Sequence, residues 1–348
     1  MRVVGSEVCA LERMEQSRLR VVFMGSDVFS LPSLEVCVAN ADVVAVFTQP
    51  DRRSGRGRKR LTASVVKQQV LDTGVRIEQP RQFDNASCET LRSLRPDLTV
   101  VAAYGQLLPP AALEVARLDS VNVHASLLPR HRGAAPVAAA ILAGDRQAGV
   151  TLMKLRPRLD AGEILCLGAD RTSAQRATPV GDDETSGELT ARLAEIGGEL
   201  LADALRGFAD RSVTYETQDE ARATYAPKLE KSDGRIDWRR PAEDIARQVR
   251  AMTPWPGAFT TLRAGTHVPQ RVILLRARAC RPDREGKPGR LSVSDDGRLI
   301  AVAGHGCVEV VRLKLAGRKA MSADEFLRGR SSLSTAPAQP GDWCFADA

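Results

Sequence analysis

The chain has 348 residues, of which 43% are hydrophobic and 27% charged, with a formal net charge of +7. This length allows two domains with separate cores, and the composition is ordinary for a folded globular protein. No apolar run approaches the roughly 20 residues that span a bilayer, and the N-terminus lacks the apolar core of a secretory signal. We therefore expect a cytoplasmic protein with no membrane segment.

The cysteines indicate the cellular compartment, and the distribution of charge bears on the kind of partner. Seven cysteines are scattered without CxxC spacing, which is typical of a reducing compartment and predicts neither a disulfide framework nor a zinc site. Residues 222–330 carry 23 lysines and arginines against 12 acidic residues. This basic second half indicates either a polyanionic partner or a solvated arginine-rich surface, and charge alone does not separate the two.

Short apolar runs predict the core of a first domain. They are Leu19–Met24, Val43–Thr48, Leu98–Ala103 and Val121–His124, with helical patterns between them at Ser64–Thr73 and Asn85–Leu94. The first three runs are almost continuously apolar, as expected of strands buried on both faces of a parallel sheet. Strand–helix alternation of this kind predicts an α/β fold with a doubly wound parallel sheet.

The second half of the chain has a different pattern. Thr185–Glu188 is typical of a capping box that opens a long helix, and the polar stretch Gln218–Thr224 predicts a linker. Beyond it, β-like runs separated by Gly, Pro and Asp predict a small β-barrel; they are Arg271–Leu275, Leu291–Val293, Leu299–Val302 and Val308–Leu315. We place an N-terminal extension at 1–18, a first domain at 19–208, a linker at 209–224, a second domain at 225–330 and a poorly ordered tail at 331–348.

The segment from Ser120 to Pro136, SVNVHASLLPRHRGAAP, is the richest in chemistry. In an extended strand, Asn122 and His124 share one face because side chains alternate with a period of two. The following Leu-Leu-Pro ends the strand, since proline cannot donate to a sheet. Polar groups at the carboxyl end of a strand lie where open α/β sheets bind their ligands.

Asp160 is the best candidate for a third group, because it lies on a glycine-containing turn after the apolar run Gly149–Leu155. An amide, an imidazole and a carboxylate together suit an acyl-type transfer, in which donors hold an oxyanion and a carboxylate orients the imidazole or accepts a proton. Each residue also has a purely structural interpretation, as a loop cap, a core histidine or an Asx-turn. The other histidines are dispersed, so we expect surface or loop histidines and predict no metal site.

The segment Asp51–Arg60, DRRSGRGRKR, has six basic residues, one acid and two glycines. A flexible basic loop after a strand could bind a phosphate backbone, and the alternative is a solvated loop without a partner. The candidate binding residues are Arg52, Arg56, Arg58, Lys59 and Arg60.

From about Leu19 to Arg330 the chain resembles the methionyl-tRNA formyltransferase family. The resemblance rests on the segments Phe23–Leu34, Thr48–Lys67, Val101–Pro109, Ser120–Pro136, Gly149–Leu165, Thr224–Trp238, Thr253–Phe259 and Ala316–Arg330. The pattern Asn-x-His-x-Ser-Leu-Leu-Pro with a later Leu-Asp-x-Gly is specific to enzymes that use 10-formyltetrahydrofolate, and the basic loop and C-terminal segments are similar to the tRNA-dependent member.

This resemblance implies a Rossmann-like formyltransferase domain followed by a smaller OB-fold-like β-barrel that binds tRNA. It implies catalytic roles for Asn122, His124 and Asp160. The implied tetrahydrofolate-binding loop consists of Ser126, Leu127, Leu128 and Pro129. It also implies that the basic loop contacts the initiator methionyl-tRNA, with Arg56 as the leading contact, and we expect a monomer.

Two alternatives stay open at this point. One is another 10-formyltetrahydrofolate-dependent enzyme that acts on a nucleotide sugar or glycinamide ribonucleotide. The other is a catalytically impaired RNA-binding relative, because Arg156, Arg158 and Ala161 depart from the family pattern around Asp160. Positive charges close to Asp160 would favour its ionised form and weaken it as a base.

Overall fold

The computed structural model describes residues 18–54, 60–264, 268–281, 286–328 and 343–346. These residues cluster by contact into two compact units. The first comprises the described residues of Met1–Pro129, Gly149–Arg176 and Leu193–Ala221. The second comprises those of Arg130–Ala148, Ala177–Arg192 and Arg222–Ala348. The domain boundaries drawn from the sequence stay a prediction.

Helices and strands alternate in the first half of the described chain. The α-helices are α1 (Leu31–Asn40), α2 (Val65–Val70), α3 (Asn85–Ser93), α4 (Pro110–Leu113), α5 (Pro136–Ala143), α6 (Ser186–Ala209), α7 (Ala242–Ala251) and α8 (Ala323–Arg328). The strands up to residue 226 are β1 (Arg20–Gly25), β2 (Asp42–Phe47), β3 (Arg52–Ser54), β4 (Arg60–Thr62), β5 (Ile77–Glu78), β6 (Leu98–Ala102), β7 (Asp119–His124), β8 (Arg132–Gly133), β9 (Gln147–Lys154), β10 (Ile164–Leu167), β11 (Thr172–Ser173), β12 (Gln175–Pro179), β13 (Thr214–Glu216) and β14 (Tyr225–Ala226).

The large sheet begins as a parallel sheet and continues as an antiparallel one. Its strand order is β11-β10-β9-β7-β6-β1-β2-β5. Strands β5, β2, β1, β6 and β7 are parallel, whereas β9 and β10 are antiparallel to their neighbours. The run Val21–Met24 is fully buried, as expected for a strand covered on both faces. The predicted α/β fold is confirmed, and the antiparallel extension is a feature that the sequence pattern did not reveal.

The chain between residues 185 and 224 contains a helix start that the sequence predicts and a strand that it does not. The predicted capping box forms. The Thr185 N–H donates to the Glu188 carboxylate at 2.9 Å, and the Glu188 N–H donates to the Thr185 hydroxyl at 3.3 Å. Helix α6 begins at Ser186, directly after Thr185. The segment predicted as a linker, 209–224, contributes β13, which pairs antiparallel with β10. Gln218, two residues beyond β13, is buried. Part of this segment therefore belongs to the large sheet.

A second sheet forms from the C-terminal half of the chain. Its strands are β15 (Ala258–Ala264), β16 (Gln270–Cys280), β17 (Leu291–Val293), β18 (Leu299–Val302), β19 (Cys307–Leu315), β20 (Ala320–Ser322) and β21 (Trp343–Ala346). The order is β17-β18-β19-β16-β15-β21, and the pairs are antiparallel. Strands β17 and β18 have the predicted bounds. The prediction of a barrel-like second domain is confirmed.

The C-terminal strand nearly closes this barrel. Strand β21 pairs with β15 along one side, and on the other side the Phe345 N–H donates to the Gly289 carbonyl at 2.7 Å. Gly289 has a φ of +85°, and a Cβ at this position would lie 2.0 Å from the Phe345 carbonyl oxygen. The Phe345 ring stacks on buried Trp238 with centroids 5.2 Å apart. The expectation of a poorly ordered tail is therefore wrong for residues 343–346.

The second unit contains one of these other histidines, His131, in a turn. His131 is buried, and its Nε2 lies 2.7 Å from Oδ2 of Asp145. Arg130 donates to the other oxygen of the same carboxylate. His131 is therefore a buried loop residue that contacts Asp145 rather than a surface group. His305 is exposed as expected, and His267 lies outside the described residues.

We predict that Phe345→Ala lowers the free energy of unfolding of the C-terminal barrel by about 3 kcal/mol, because it removes a buried aromatic side chain and its stacking on Trp238. Chemical denaturation followed by tryptophan fluorescence measures the change. Val268→Ala, at an exposed position, is the control and should have little effect. Equal stability of the two variants would contradict the closing role of β21.

Candidate active site

Strand β7 carries two of the three predicted catalytic side chains. It lies between parallel β6 and antiparallel β9, with Val101 opposite Asn122 and Thr151 opposite His124. His124 is buried at the end of the strand, and Asn122 is partly exposed. Alternation along the strand places both on one face. The sheet therefore presents an amide and an imidazole together at its carboxyl edge.

Asp160 joins this pair from the turn between β9 and β10. Its Oδ2 lies 3.7 Å from Nδ1 of His124, which is ion-pair distance and longer than a hydrogen bond. Only 9% of Asp160 is exposed, and its backbone has a φ of +47°, in the left-handed region that non-glycine residues rarely adopt. The structure thus brings together His124 and Asp160, as predicted, although 35 residues separate them in the chain.

The two arginines that flank Asp160 have carboxylate partners of their own. Arg156 donates to Glu163 at 2.8 and 2.9 Å, and this hydrogen-bonded guanidinium holds the pKa of Glu163 below its usual range. Arg158 lies 2.9 Å from Glu220 in an exposed ion pair. Each positive charge that the sequence adds to this turn is therefore matched by a negative charge on a neighbouring residue.

The loop that follows β7, Ser126–Pro129, is held by its backbone. The Thr151 hydroxyl donates to the Ser126 carbonyl at 2.6 Å and accepts from the Leu128 N–H at 3.1 Å. Gln175 donates to the Leu128 carbonyl at 2.7 Å and to the same Thr151 hydroxyl. The Leu128 side chain is buried and shares a small apolar cluster with Met153 and Ile164. The Leu128 side chain therefore holds the loop against these apolar residues. Its part in folate binding stays a prediction.

The predicted basic loop forms a short hairpin of β3 and β4. Arg56, Arg58 and Lys59 lie outside the described residues. Arg60 is the first residue of β4, and Arg52, at the start of β3, is exposed and donates to Gln49 at 2.9 Å. How these residues contact a partner stays a prediction.

The base of this hairpin is anchored by a group of three side chains. Lys67 lies 2.9 Å from the Asp51 carboxylate, and Gln79 donates to the same carboxylate at 2.8 Å. Lys67 also donates to Gln79 at 2.8 Å. These hydrogen bonds, led by the one from Gln79, lower the pKa of Asp51. The hairpin therefore starts from a fixed point beside the end of β2.

Comparison with known proteins decides the family. A sequence model described as formyl transferase matches residues 21–205, and one described as formyl transferase, C-terminal domain, matches residues 228–331. A methionyl-tRNA formyltransferase of Halorhodospira halophila is 44% identical over 321 residues, which cover 92% of this chain and 99% of that protein. One of Methylococcus capsulatus is 42% identical over 315 residues, covering 90% and 97%. The chain belongs to the methionyl-tRNA formyltransferase family.

Solved structures with low sequence identity share the fold. HypX from Aquifex aeolicus, solved in complex with tetrahydrofolic acid, has a TM-score of 0.57 at 17% identity, covering 89% of this chain and 47% of that one. An N-formyltransferase from Helicobacter canadensis, solved with folinic acid and dTDP-3-aminofucose, has a TM-score of 0.61 at 15% identity, covering 84% and 98%.

Membership of the methionyl-tRNA formyltransferase family confirms several predictions made from the motifs. The enzyme class is confirmed, and the family supports a folate-type formyl donor and a tRNA substrate.

Within the described residues, no helix is long and apolar enough to cross a membrane. The same part of the chain contains no group of three or more His, Cys, Asp or Glu side chains arranged to hold a metal ion.

Sequence reasoning missed the residues that hold the site in place. Gln218 was assigned to a linker, and it donates hydrogen bonds to backbone carbonyls of the turn that carries Asp160. Thr151 lies in β9 and Gln175 in β12, and no local sequence pattern shows that either side chain holds the loop after β7. The available signal for Thr151 was its position in an otherwise apolar strand, where a buried hydroxyl needs a hydrogen-bond partner.

We predict that Thr151→Val lowers the free energy of unfolding by about 2–3 kcal/mol, because it leaves the Leu128 N–H and the Ser126 carbonyl without their buried partner. Thr151→Ser retains the hydroxyl and should cost less. Urea denaturation followed by circular dichroism compares the two. The hydroxyl has no role in holding the loop if valine proves as stable as serine.

Proposed function

We propose that this protein transfers the formyl group of 10-formyltetrahydrofolate to the α-amino group of methionyl initiator tRNA, and so supports translation initiation. The observation that carries the proposal is the approach of Asp160 to His124 at the carboxyl edge of the sheet, on the strand that also presents Asn122. Relatives named methionyl-tRNA formyltransferase align with about 90% of the chain, including both halves.

In the proposed reaction, the neutral α-amine attacks the formyl carbon and the carbonyl oxygen gains negative charge. The Asn122 amide and the His124 imidazole donate hydrogen bonds to this oxygen. The Asp160 carboxylate lies 3.7 Å from Nδ1 of His124, so it faces the positive charge that the imidazole carries whenever both of its nitrogens are protonated. The buried Asp160 carboxylate stabilises that positive charge, because Coulomb interactions are stronger away from water.

Asp160 has a second part in the proposed reaction, which is proton transfer. As the new C–N bond forms, the amine loses a proton to the carboxylate. When the tetrahedral intermediate collapses, the bond between the formyl carbon and N10 of the folate breaks, and N10 receives the proton. The net change is one formyl group moved from nitrogen to nitrogen and one proton moved the opposite way, so the enzyme returns to its starting state.

The two substrates are proposed to use different parts of the chain. The loop Ser126–Pro129 follows directly from β7 and suits the folate donor, because its backbone is already fixed by Thr151 and Gln175. The segment Asp51–Arg60 suits the phosphate backbone of the tRNA through its basic residues Arg52, Arg56, Arg58, Lys59 and Arg60. The excess of positive charge in residues 222–330 supports the same partner. We propose that the protein acts in the cytoplasm as a monomer.

The catalytic assignment predicts that Asn122→Ala, His124→Ala and Asp160→Asn each lower kcat/KM for formylation of methionyl initiator tRNA by roughly 10²–10⁴-fold, because each removes a donor or proton acceptor needed in the transition state. Discontinuous assays with charged tRNA and 10-formyltetrahydrofolate measure the loss. Asn85→Ala, at an exposed position on α3, is the control. Turnover like that of the wild type in all three variants would refute the assignment.

A second prediction separates a tRNA substrate from a small one. Contacts with phosphate backbone weaken steeply with salt, so kcat/KM for the tRNA should fall at least tenfold between 50 and 200 mM salt. Activity on a nucleotide sugar or glycinamide ribonucleotide, with no response to salt, would favour a small-molecule formyltransferase. Binding of tRNA without any turnover would instead indicate a catalytically impaired relative.

A further inference from the structure

The turn that carries Asp160 begins at a point of the sheet that lies away from His124 along β7. Strand β9 ends at Lys154, which lies opposite Val121 on β7, and β10 starts again at Ile164 beside Met153. His124 lies three residues further along β7, which is about 10 Å at the rise of an extended strand. The connection between β9 and β10 must therefore fold back along the strand for the carboxylate to meet the imidazole.

The backbone of this turn adopts a conformation that requires support. Asp160 has a positive φ, which is unfavourable for an aspartate in the absence of surrounding contacts. Gly162 packs so closely that a Cβ there would lie 1.7 Å from the Lys154 carbonyl oxygen. Within the turn itself, the Ala161 N–H donates to the Arg158 carbonyl at 3.3 Å. Such a turn keeps one geometry only when groups outside it hold its carbonyls.

Gln218 supplies that support from another part of the chain. Its Nε2 donates to the Asp160 carbonyl at 2.9 Å and to the Gly162 carbonyl at 2.6 Å. A primary amide nitrogen has two N–H groups, and this turn takes both. Gln218 is only 5% exposed, so the bonds are shielded from competing water.

The sheet explains why Gln218 arrives at this position. Strand β13 pairs with β10, with Glu216 opposite Ile164. Continuing the antiparallel register by two residues on each strand places Gln218 opposite Gly162. Two residues beyond Gln218, Glu220 forms an exposed ion pair with Arg158, which joins the same two segments. Because exposed pairs contribute little, the buried amide is the stronger of the two connections.

We propose that Gln218 is a positioning residue that holds the Asp160 turn so that its carboxylate faces His124. It touches neither the donor nor the acceptor in this role and acts through the backbone of Asp160. The consequence for catalysis rests on the proposed function, whereas the placement of Asp160 against His124 does not. Small displacements of a catalytic carboxylate reduce rates strongly, so the amide should affect turnover more than substrate binding.

The kinetic test uses Gln218→Met, which retains the length of the side chain and removes both donors. We expect kcat for formylation to fall 10- to 100-fold, with KM for both substrates changed less than threefold. In the Asp160→Asn background the same change should cost less than twofold, because the carboxylate that Gln218 positions is already gone. Wild-type kcat, or an undiminished loss in that background, would overturn the proposal.

A second readout does not depend on activity. The protein has four histidines, so the His124 imidazole resonances can be assigned by NMR with a His124→Gln variant. At fixed pH, Asp160→Asn should shift these resonances, and Gln218→Met should shift them in the same direction. Unchanged resonances in Gln218→Met overturn the proposal. If wild-type protein fails to formylate methionyl-tRNA but the resonances shift as expected, the proposed function fails and the positioning role stands.

Gln248 provides a matched control. It is equally buried and donates from the same atom to two carbonyls, those of Asp233 at 2.7 Å and Arg235 at 2.9 Å, in a turn without proposed catalytic residues. Gln248→Met should therefore lose comparable stability and leave kcat and the His124 resonances unchanged. Glu220→Gln tests the exposed ion pair separately and should change kcat less than threefold. Gln218→Ala repeats the test if the methionine variant does not fold.

Discussion

The candidate active site depends on one close approach, that of the Asp160 carboxylate to the His124 imidazole. The imidazole is fixed by strand β7, which is paired on both sides and buried. The carboxylate is on a turn, and turns have no sheet hydrogen bonds to hold them. The precision of the site is therefore limited by the turn. Its contacts with Gln218 and Glu220, in the segment that follows β13, matter for that reason, because they connect the turn to the rigid sheet.

The same segment shows how the chain accommodates an altered turn. Arg156 and Arg158 would each bring a positive charge near a carboxylate on which the proposed reaction depends. Glu163 and Glu220 bind them instead, one within the turn and one on the segment that follows β13. The Arg156–Glu163 pair thus joins two positions of the turn, and the Arg158–Glu220 pair connects the turn to the segment after β13. This pairing removes the main physical reason to regard the chain as a catalytically impaired relative.

Hydrogen bonding to backbone is the recurring means of support in the first unit. Thr151 and Gln175 hold the loop after β7, and Gln218 holds the turn after β9. None of these side chains needs to touch a substrate for the site to depend on it. A site built in this way leaves Asn122, His124 and Asp160 to the chemistry, while buried hydroxyl and amide groups determine where they lie.

The sequence by itself determined the elements whose signals are local. Apolar runs identified the buried strands, alternation placed Asn122 and His124 on one face, and the Thr185–Glu188 pattern located the start of α6. Those features depend on neighbours within a few residues. The glycine-containing turn made Asp160 a candidate and the family motifs supported it, although no local signal showed that it would meet His124.

Only the tertiary structure decided which distant residues lie together. The sequence pattern predicts that Gln218 belongs to a polar linker, whereas the register of β13 against β10 places it opposite Gly162. The sequence predicts a poorly ordered tail, whereas in the structure the backbone of Trp343–Ala346 pairs with β15 and Gly289. In both cases the stabilising hydrogen bonds join segments far apart in the chain, and such bonds are determined by sheet register and burial rather than by the local pattern of side chains.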